Sequence, residues 1–312
     1  MSGRLAPPLD TRRNAVRPDL ADERLRGRAY AERFVAGLAR RVAVPSAALR
    51  RRPAEDAPLD TELVFGEPVT LFSREGDWAW VQSVLDDYVG YVPFAAIAPA
   101  RGVHPLDPAS AEPLGPEATH RVHVPLAIVF TAPSIKSPVA MRIPMGARLC
   151  VVREESAGDE RFLVTDEGYV LHQHALPLAE VLPDWVSLAE TFVGAPYLYG
   201  GKTWDGIDCS GLVQLAVQAA GGEAPRDSDM QEAELGEPRA AETESLARGD
   251  LVFWKGHVGV MVDGARLLHA NGFHMQTVVE PLAHTLARLE PRGIGTTSVR
   301  RLPLRVAPAG RP

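Results

Sequence analysis

Short apolar runs separated by turn residues fill the first half of the chain. Four of them lie between residues 41 and 99, with Gly-Asp and Asp-Asp turns between them: ELVFGE from Glu62, VTLF from Val69, WAWV from Trp78 and YVGYV from Tyr88. Runs of this length and spacing predict the strands of a small closed or rolled sheet.

The same pattern returns between residues 120 and 178. Its last run, DEGYV from Asp166, repeats the DDYVGYV segment that starts at Asp86. The Pro-rich segment HPLDPASAEPLGPEAT, at positions 104–119, separates the two sets and predicts a connector without regular structure. The repeat therefore predicts two small β-barrels in tandem.

The two ends of the chain differ from this β-type pattern in composition and in the spacing of apolar residues. Residues 1–40 are rich in Arg, Asp, Pro and Ala, and we expect an arm laid over the body, with a short helix over residues 25–38. After Pro183 the pattern predicts a helix over 185–193, a second that stops at Gly221, and three strands. Helices packed on an antiparallel sheet form an α+β domain. The predicted parts are an arm (1–40), a first barrel (41–103), a linker (104–119), a second barrel (120–180) and the α+β domain (181–312).

Composition narrows the class of protein. Hydrophobic residues make up 46% and charged residues 23%, as in ordinary folded proteins. A net charge of -7 disfavours nucleic acid as a partner. Two cysteines are too few for a disulfide framework. The first thirty residues hold no apolar signal region and no segment is long enough for a membrane span, so we expect a cytoplasmic protein without a membrane partner.

Cys209 is the candidate nucleophile. It follows Asp208, a good N-cap residue, and precedes an apolar run from Leu212, so its sulfur is expected in the first turn of a helix. The pKa of a thiol falls at a helix N-terminus and beside an imidazolium. The alternative is a buried structural cysteine, a description that suits Cys150, which lies in the predicted strand RLCVV.

Two histidines downstream supply a base and a group that orients it. His257 opens the run HVGVMV, and His269 lies twelve positions later on the next predicted strand. A two-residue loop at Asp263 and Gly264 would put the two imidazoles on opposite faces, so we predict a three-residue loop or a bulge. A metal held by Cys209, His257 and His269 is the alternative, but the short paired spacing of zinc motifs is lacking, and we expect neither metal nor cofactor. The other histidines expected at the surface or in loops are His172, His174, His274 and His284.

Several motifs in a fixed order resemble the NlpC/P60 family of papain-like cysteine peptidases. They are PYLYGGKTWDGIDCSGLVQLAVQAAG, ARGDLVFW, GHVGVMV and LLHAN, within about residues 185–305. In the first half, FGEPVTLF, DWAWVQ and YVGYVPFAAI resemble bacterial SH3 (SH3b) domains, and GARLCVV with EGYVLHQHAL does so more loosely. The resemblance implies an α+β papain-like domain behind two SH3-like barrels, with Cys209, His257 and His269 as catalytic residues.

The whole arrangement resembles the γ-D-glutamyl-L-diamino acid endopeptidases of the dipeptidyl-peptidase VI type. The resemblance implies cleavage between γ-D-Glu and meso-diaminopimelate or lysine, in small muropeptides with a free N-terminal L-Ala, and a place in murein recycling. It also implies that Tyr197 helps to form the oxyanion hole. The implied pocket residues are Tyr88, Asp208, Ser210, Asp227 and Ser228. Simpler roles are helix caps for Asp208 and Ser228 and barrel core for Tyr88.

Two other functions stay open. One is an amidase or acyltransferase on the same scaffold, and the other is a non-catalytic wall-binding protein with a vestigial peptidase fold. The intact set of one cysteine and two histidines argues against the wall-binding protein. It does not separate the peptidase from the amidase or acyltransferase, because transfer and hydrolysis use the same nucleophile. The sequence does not decide the preferred diamino acid, the oligomeric state, or the roles of the arm and the second barrel.

Overall fold

The computed structural model describes residues 9–100, 117–239 and 246–308 of the chain. Most of the predicted linker, positions 104–116, lies outside the described residues, as do positions 1–8 of the predicted arm.

The arm contains two short parallel strands and a 3-10 turn, and the helix predicted over 25–38 is wrong. Leu20 of the arm is buried together with Phe72 and Trp80 of the neighbouring sheet. The apolar residues of the arm therefore cover an aromatic surface and do not form the stripe of an amphipathic helix. The elements are β1 (Leu20–Asp22), the turn Glu23–Leu25 and β2 (Arg33–Val35).

The first β unit, residues 38–99, is one antiparallel sheet of seven strands. The strands are β3 (Leu38–Val42), β4 (Ser46–Arg50), β5 (Leu59–Val64), β6 (Pro68–Glu75), β7 (Trp78–Ser83), β8 (Val89–Pro93) and β9 (Ile97–Pro99). They lie in the order β5-β4-β8-β7-β6-β3-β9, so the last strand pairs with the first. Alternate side chains such as Leu49, Val69 and Val81 are buried in its core, which is the cause of the alternation in the sequence.

The second β unit, residues 120–177, has two sheets. The strands are β10 (His120–Val122), β11 (Leu126–Phe130), β12 (Val139–Pro144), β13 (Arg148–Leu149), β14 (Arg153–Ala157), β15 (Glu160–Thr165), β16 (Gly168–Leu171) and β17 (Ala175–Pro177). One sheet has the order β12-β11-β16-β15-β14 and the other β13-β10-β17.

The two units repeat each other in strand order and register. Ser46 pairs with Val64 in the first unit, and 80 positions later Leu126 pairs with Pro144 in the second. Strand β6 is continuous and pairs with both β3 and β7, whereas its counterpart is divided into β13 and β14. Cys150 lies buried at that division. The repeat seen in the sequence is therefore also a repeat of the backbone.

The C-terminal region packs helices on an antiparallel sheet of six strands. The elements are α1 (Trp185–Glu190), β18 (Lys202–Thr203), β19 (Gly206–Ile207), α2 (Cys209–Ala219), α3 (Ser228–Glu234), β20 (Glu237–Arg239), β21 (Asp250–Trp254), β22 (His257–Met261), β23 (Arg266–Asn271), β24 (Gln276–Pro281), α4 (Leu282–Leu289) and β25 (Thr296–Arg301). The strands of the large sheet lie in the order β20-β25-β21-β22-β23-β24, and helix α2 contacts α1, β22 and β23.

Capping residues set both ends of α2. The carboxylate of Asp208 accepts a hydrogen bond from the backbone N–H of Gly211 at 2.7 Å, which starts the helix at Cys209. The helix ends at Ala219, and Gly221 then takes a φ of 100°, a conformation that glycine adopts at low cost. The predicted stop at Gly221 is confirmed.

Buried polar contacts join the first β unit to the C-terminal region. Lys202 Nζ lies 3.3 Å from Glu67 Oε2, and the two side chains are 1% and 0% exposed. Arg226 donates a hydrogen bond to Thr61 Oγ1 at 2.7 Å. These contacts hold β5 and the turn that follows it against the segments that flank α2.

Candidate active site

Cys209 is the first residue of α2 and is 7% exposed. Burial, followed by the Asp208 carboxylate, raises the pKa of its thiol to about 12, while backbone hydrogen bonds with Val258 and Ser210 lower it. The sequence led us to expect a lowered pKa, but in this site burial outweighs the helix dipole. The thiol is therefore protonated at neutral pH and needs a base at the moment of attack.

A three-residue loop brings the two histidines to one face of the sheet. Residues 263–265 form the loop, because the strand pairing extends to the hydrogen bond between Val262 N–H and Arg266 O. The prediction of a three-residue loop or a bulge at this turn is confirmed, in the form of the loop. His257 Nε2 lies 2.9 Å from His269 Nδ1, so the two rings are hydrogen-bonded.

Glu280 on β24 determines which ring nitrogens of the two histidines carry a proton. Its Oε1 lies 2.9 Å from His269 Nε2. Because an ionised carboxylate only accepts, we assign the His269 proton to Nε2, and His269 Nδ1 then accepts from His257 Nε2–H. Nδ1 of His257 remains as the basic nitrogen. Burial and the neighbouring His269 lower the pKa of His257 to about 3, so the ring is neutral at neutral pH.

Arg288 of α4 holds Glu280 from the other side. Its Nη1 donates to Glu280 Oε2 at 2.8 Å, and Thr285 Oγ1 donates to Oε1 at 3.0 Å. Burial alone would raise the pKa of Glu280, but hydrogen bonds from Arg288 and His269 hold it well below its usual range. Sequence reasoning missed both Glu280 and Arg288. His274 and His284 are exposed as expected, although His274 Nε2 comes within 3.5 Å of Glu280.

A pocket of 270 Å³ opens at Cys209. Seven predicted residues line it together: Tyr88, Tyr197, Asp208, Cys209, Ser210, Asp227 and Ser228. His257 and His269 line an adjoining cleft. The pocket also contains residues that sequence reasoning missed, among them Arg12, Arg51, Asp60, Tyr199 and Asp229. The arm, the first β unit and the C-terminal region therefore all contribute to one pocket.

Tyr88 forms one wall of the pocket. It is 3% exposed and belongs to the core of the first β unit, so the simpler reading as core also holds. Its hydroxyl donates to Asp227 Oδ2 at 3.1 Å, and burial raises its pKa. Asp227 is the N-cap residue of α3 but makes no side-chain cap hydrogen bond, and Ser228 is the first residue of that helix and not its cap.

Asp208 lines the pocket, but its carboxylate is fully engaged. Arg226, 1% exposed, donates to both of its oxygens at 2.9 and 2.7 Å. The backbone N–H groups of Gly200 and Gly211 supply two further bonds at 2.8 and 2.7 Å. Arg226 also donates to Ser210 Oγ at 2.9 Å. The Asp208 charge is thus balanced by a buried guanidinium, and the cap role named as the simpler alternative is confirmed.

Two hydrogen-bond donors belong to residues that line the pocket, Tyr197 and Cys209. Burial, followed by Cys209 and Asp208, raises the pKa of Tyr197 to about 12, so its hydroxyl keeps its proton and can donate. The backbone N–H of Cys209 belongs to the first turn of α2, where N–H groups have no partner within the helix. Both groups are the kind of donor found in oxyanion holes.

Metal binding has little support from the geometry. Within residues 9–100, 117–239 and 246–308, no three His, Cys, Asp or Glu side chains are grouped so that they could hold a metal ion. The expected independence from metal stays a prediction.

Two family models match the chain. Residues 49–97 match the bacterial dipeptidyl-peptidase SH3 domain, and residues 194–287 match the NlpC/P60 family. The chain is homologous to the γ-D-glutamyl-L-lysine dipeptidyl-peptidase of Bacillus subtilis (strain 168), at 26% identity over 231 residues, 69% of this chain and 73% of that protein. Dipeptidyl-peptidase 6 of Lysinibacillus sphaericus is 28% identical over 238 residues, 72% of this chain and 84% of that protein.

A solved structure shows the same fold. The crystal structure of an NlpC/P60 family protein from Bacillus cereus ATCC 10987 superposes with a TM-score of 0.67 at 20% identity, over 85% of this chain and 99% of that one. The NlpC/P60 fold predicted from the sequence is confirmed. None of the helices in the described part of the chain is long and apolar enough to span a membrane.

Proposed function

We propose that this chain, which carries an NlpC/P60 domain behind a bacterial SH3 domain, is a cysteine peptidase that cleaves γ-D-glutamyl-diamino acid bonds in free peptidoglycan peptides. The observation that carries the proposal is the hydrogen-bonded series Glu280, His269, His257, next to Val258, whose backbone is hydrogen-bonded with Cys209. Cys209 itself lines a pocket whose lining includes three aspartates, Asp60, Asp227 and Asp229. The proposal includes an α+β catalytic domain and two SH3-like barrels, which the matched strand orders of the two β units support.

In the proposed reaction, the Cys209 thiol gives its proton to His257 Nδ1 as the sulfur attacks the γ-glutamyl carbonyl. The Cys209 backbone N–H and the Tyr197 hydroxyl hold the oxyanion. The His257 imidazolium then protonates the leaving amine, and a thioester remains. Water, deprotonated by His257, hydrolyses the thioester and restores the thiol. His269 fixes the tautomer of His257 throughout.

The acidic end of the pocket is assigned to the free amine of L-Ala. Oδ2 of Asp227 is bonded to Tyr88, while its Oδ1 makes no hydrogen bond with the described residues and can accept from an ammonium group. In intact peptidoglycan this nitrogen is an uncharged amide that carries a bulky sugar substituent, so the ion pair is lost and the pocket is blocked. The proposed role is therefore recycling of released peptides, in the cytoplasm.

The test is incubation with L-Ala-γ-D-Glu-meso-diaminopimelate and identification of the products by mass. We expect L-Ala-γ-D-Glu and diaminopimelate, no turnover by Cys209→Ala, and near wild-type turnover by Cys150→Ala. Wild-type turnover by Cys209→Ala would reject Cys209 as the nucleophile, and a new amide formed with an added amine would indicate an acyltransferase.

The mechanism needs no metal, so activity should survive addition of a chelator. Loss of activity on chelation, with rescue by zinc, would contradict the metal-free mechanism.

Substrate selection is tested with the N-acetylated tripeptide and with whole sacculi. We expect neither to be cleaved at a rate comparable to the free tripeptide. Equal cleavage of the free and acetylated peptides, or release of dipeptide from sacculi, would contradict recognition of the amine.

A further inference from the structure

A second cleft adjoins the Cys209 pocket on the side of His257. It has a volume of 620 Å³, and His257, Asn271, Phe273 and Arg292 are among its lining residues. Gly272, which also lines it, lies beside the ring of Tyr197 in the first pocket. The two spaces therefore meet at the proposed reacting groups.

One residue that lines the cleft, Asn271, has an amide N–H group without a hydrogen-bond partner among the described residues. Asn271 is 7% exposed; its Oδ1 accepts from the N–H groups of Phe273 and His274 at 3.1 and 2.9 Å, which fixes the amide. Its Nδ2 is buried and has no hydrogen-bond partner among the described residues. A buried donor without a partner is costly, and an acceptor on a ligand in the cleft would satisfy it.

Two arginines make the cleft cationic. The exposed Arg292 forms no ion pair within the part of the chain that the structure describes. Arg288 is bonded to Glu280 and lies 4.4 Å from the Phe273 ring. One of the two positive charges is thus balanced and the other is available. Guanidinium and amide N–H groups together suit a carboxylate.

We propose that this cleft binds the leaving diamino acid and selects diaminopimelate over lysine, through Arg292 and Asn271 Nδ2 acting on the side-chain carboxylate. The inference rests on the proposed function, in which His257 protonates the leaving amine and the leaving residue must therefore lie on its side. Two of the relatives are named for lysine, so the preference would distinguish this chain from them.

The experiment compares kcat/KM for three tripeptides that end in meso-diaminopimelate, in lysine, or in diaminopimelate with its side-chain carboxylate amidated. We expect the wild type to prefer the first about tenfold, as one charge-assisted hydrogen bond provides. Arg292→Gln should reduce this preference about fivefold, and Asn271→Asp should reduce it further, because a second carboxylate repels the first. Arg266→Gln, at the opposite end of β23, is the matched control and should keep the preference.

Effects on catalysis that are common to all substrates cancel in these ratios. Equal rates for the three peptides, or a preference unchanged in both variants, would overturn the inference while hydrolysis itself upheld the proposed function. Failure of the wild type to cleave any of the three would reject the proposed function and this inference with it.

Arg12 lies in the arm, before the matched SH3 region begins at residue 49. Arg12 Nη1 donates to Asp227 Oδ2 at 2.9 Å and to Asp229 Oδ1 at 3.0 Å, and Nη2 donates to Asp10 Oδ2 at 2.7 Å. Three carboxylates surround one guanidinium, which leaves a net negative charge at this end of the pocket.

The contacts of Arg12 determine how Asp227 faces the pocket. Arg12 and the Tyr88 hydroxyl share Oδ2, and this directs Oδ1 away from both of them. Burial raises the pKa of Asp227, whereas Arg226, Arg12 and Tyr88 act to lower it. We infer that Arg12 is a positioning residue for the amine site, which holds Asp227 ionised and oriented toward the substrate ammonium. This inference also rests on the proposed function.

The test is steady-state kinetics on the free tripeptide. Arg12→Ala should raise KM about fivefold, which corresponds to about 1 kcal/mol of binding free energy, and should leave kcat nearly unchanged. Arg12→Lys, which keeps the positive charge, should raise KM less. Arg13→Ala, a neighbouring arginine paired with Glu234, is the matched control. Melting temperatures of all variants separate a change in binding from a loss of fold. An unchanged KM in a folded Arg12→Ala protein would overturn the inference, whether or not its kcat fell.

Discussion

At the thiol of Cys209 two effects oppose each other. The N-terminus of α2 favours the thiolate, whereas burial and the Asp208 carboxylate favour the neutral thiol and prevail. His257 is likewise neutral, because burial lowers its pKa. The resting site therefore holds a thiol and an imidazole, and their proton transfer belongs to the attack on the substrate.

The protonation state of Cys209 predicts how alkylation depends on pH. In a Cys150→Ala background, inactivation by iodoacetamide should be slow at pH 7 and rise about tenfold per pH unit up to pH 9, because the thiolate fraction rises by that factor below the pKa. Rate constants measured across this range give the answer. A fast rate that is already constant below pH 7 would show a preformed ion pair with His257.

Glu280 controls which nitrogen of each histidine carries its proton, and this predicts a defect in turnover. Glu280→Gln lets an amide N–H face His269 Nε2, so the tautomers that leave His257 Nδ1 free are no longer enforced. We expect kcat to fall about 100-fold with little change in KM, as for other groups that orient a catalytic ligand or base. Thr285→Val removes another hydrogen bond to Glu280 without touching His269 and should keep kcat near the wild-type value. Equal kcat for Glu280→Gln and the wild type would reject this role.

Among the elements, the hairpin β22–β23 decides whether the histidines meet. Deletion of Gly264 shortens the loop to two residues, and a one-residue shift in register turns the side chains of one strand to the other face. We expect this deletion to abolish turnover, while Ala265→Gly, which keeps the loop length, should have little effect. The measurement is kcat/KM together with the circular dichroism of both proteins; full activity of the deletion variant would show that the loop does not set the register.

Local patterns predicted those elements whose residues are close in sequence. The start of α2 at Cys209 follows from Asp208, and the odd loop follows from the parity of His257 and His269. Contacts between distant segments gave no such signal. Arg226 and Arg12 are single arginines in a chain that is rich in them, and only the tertiary fold brings them to acidic partners. The helix predicted over residues 25–38 of the arm is wrong because the burial of the arm depends on an aromatic surface formed by other strands.

At the scale of the whole molecule, the pocket exists only while the first β unit stays docked on the C-terminal region. Tyr88 belongs to the first β unit and Cys209 to the C-terminal region. The almost fully buried ion pair of Lys202 and Glu67 joins these two parts. Glu67 also accepts hydrogen bonds from Val64 N–H at 3.0 Å and from Ser83 Oγ at 3.0 Å. These two donors belong to the first β unit, so Lys202 is the partner of Glu67 that depends on the docked arrangement.

This buried pair predicts how stability responds to removal of one partner or of both. Lys202→Met should lower the free energy of unfolding by about 3 kcal/mol, because it leaves the Glu67 carboxylate buried and unpaired. The double variant Lys202→Met, Glu67→Gln removes that charge and should recover part of the loss. Arg52→Met breaks the exposed pair with Asp56 and serves as the control, with an expected change below about 1 kcal/mol. Denaturant unfolding of the four proteins measures these differences. If the single Lys202 variant were as stable as the double one, the pair would not be what couples the first β unit to the C-terminal region.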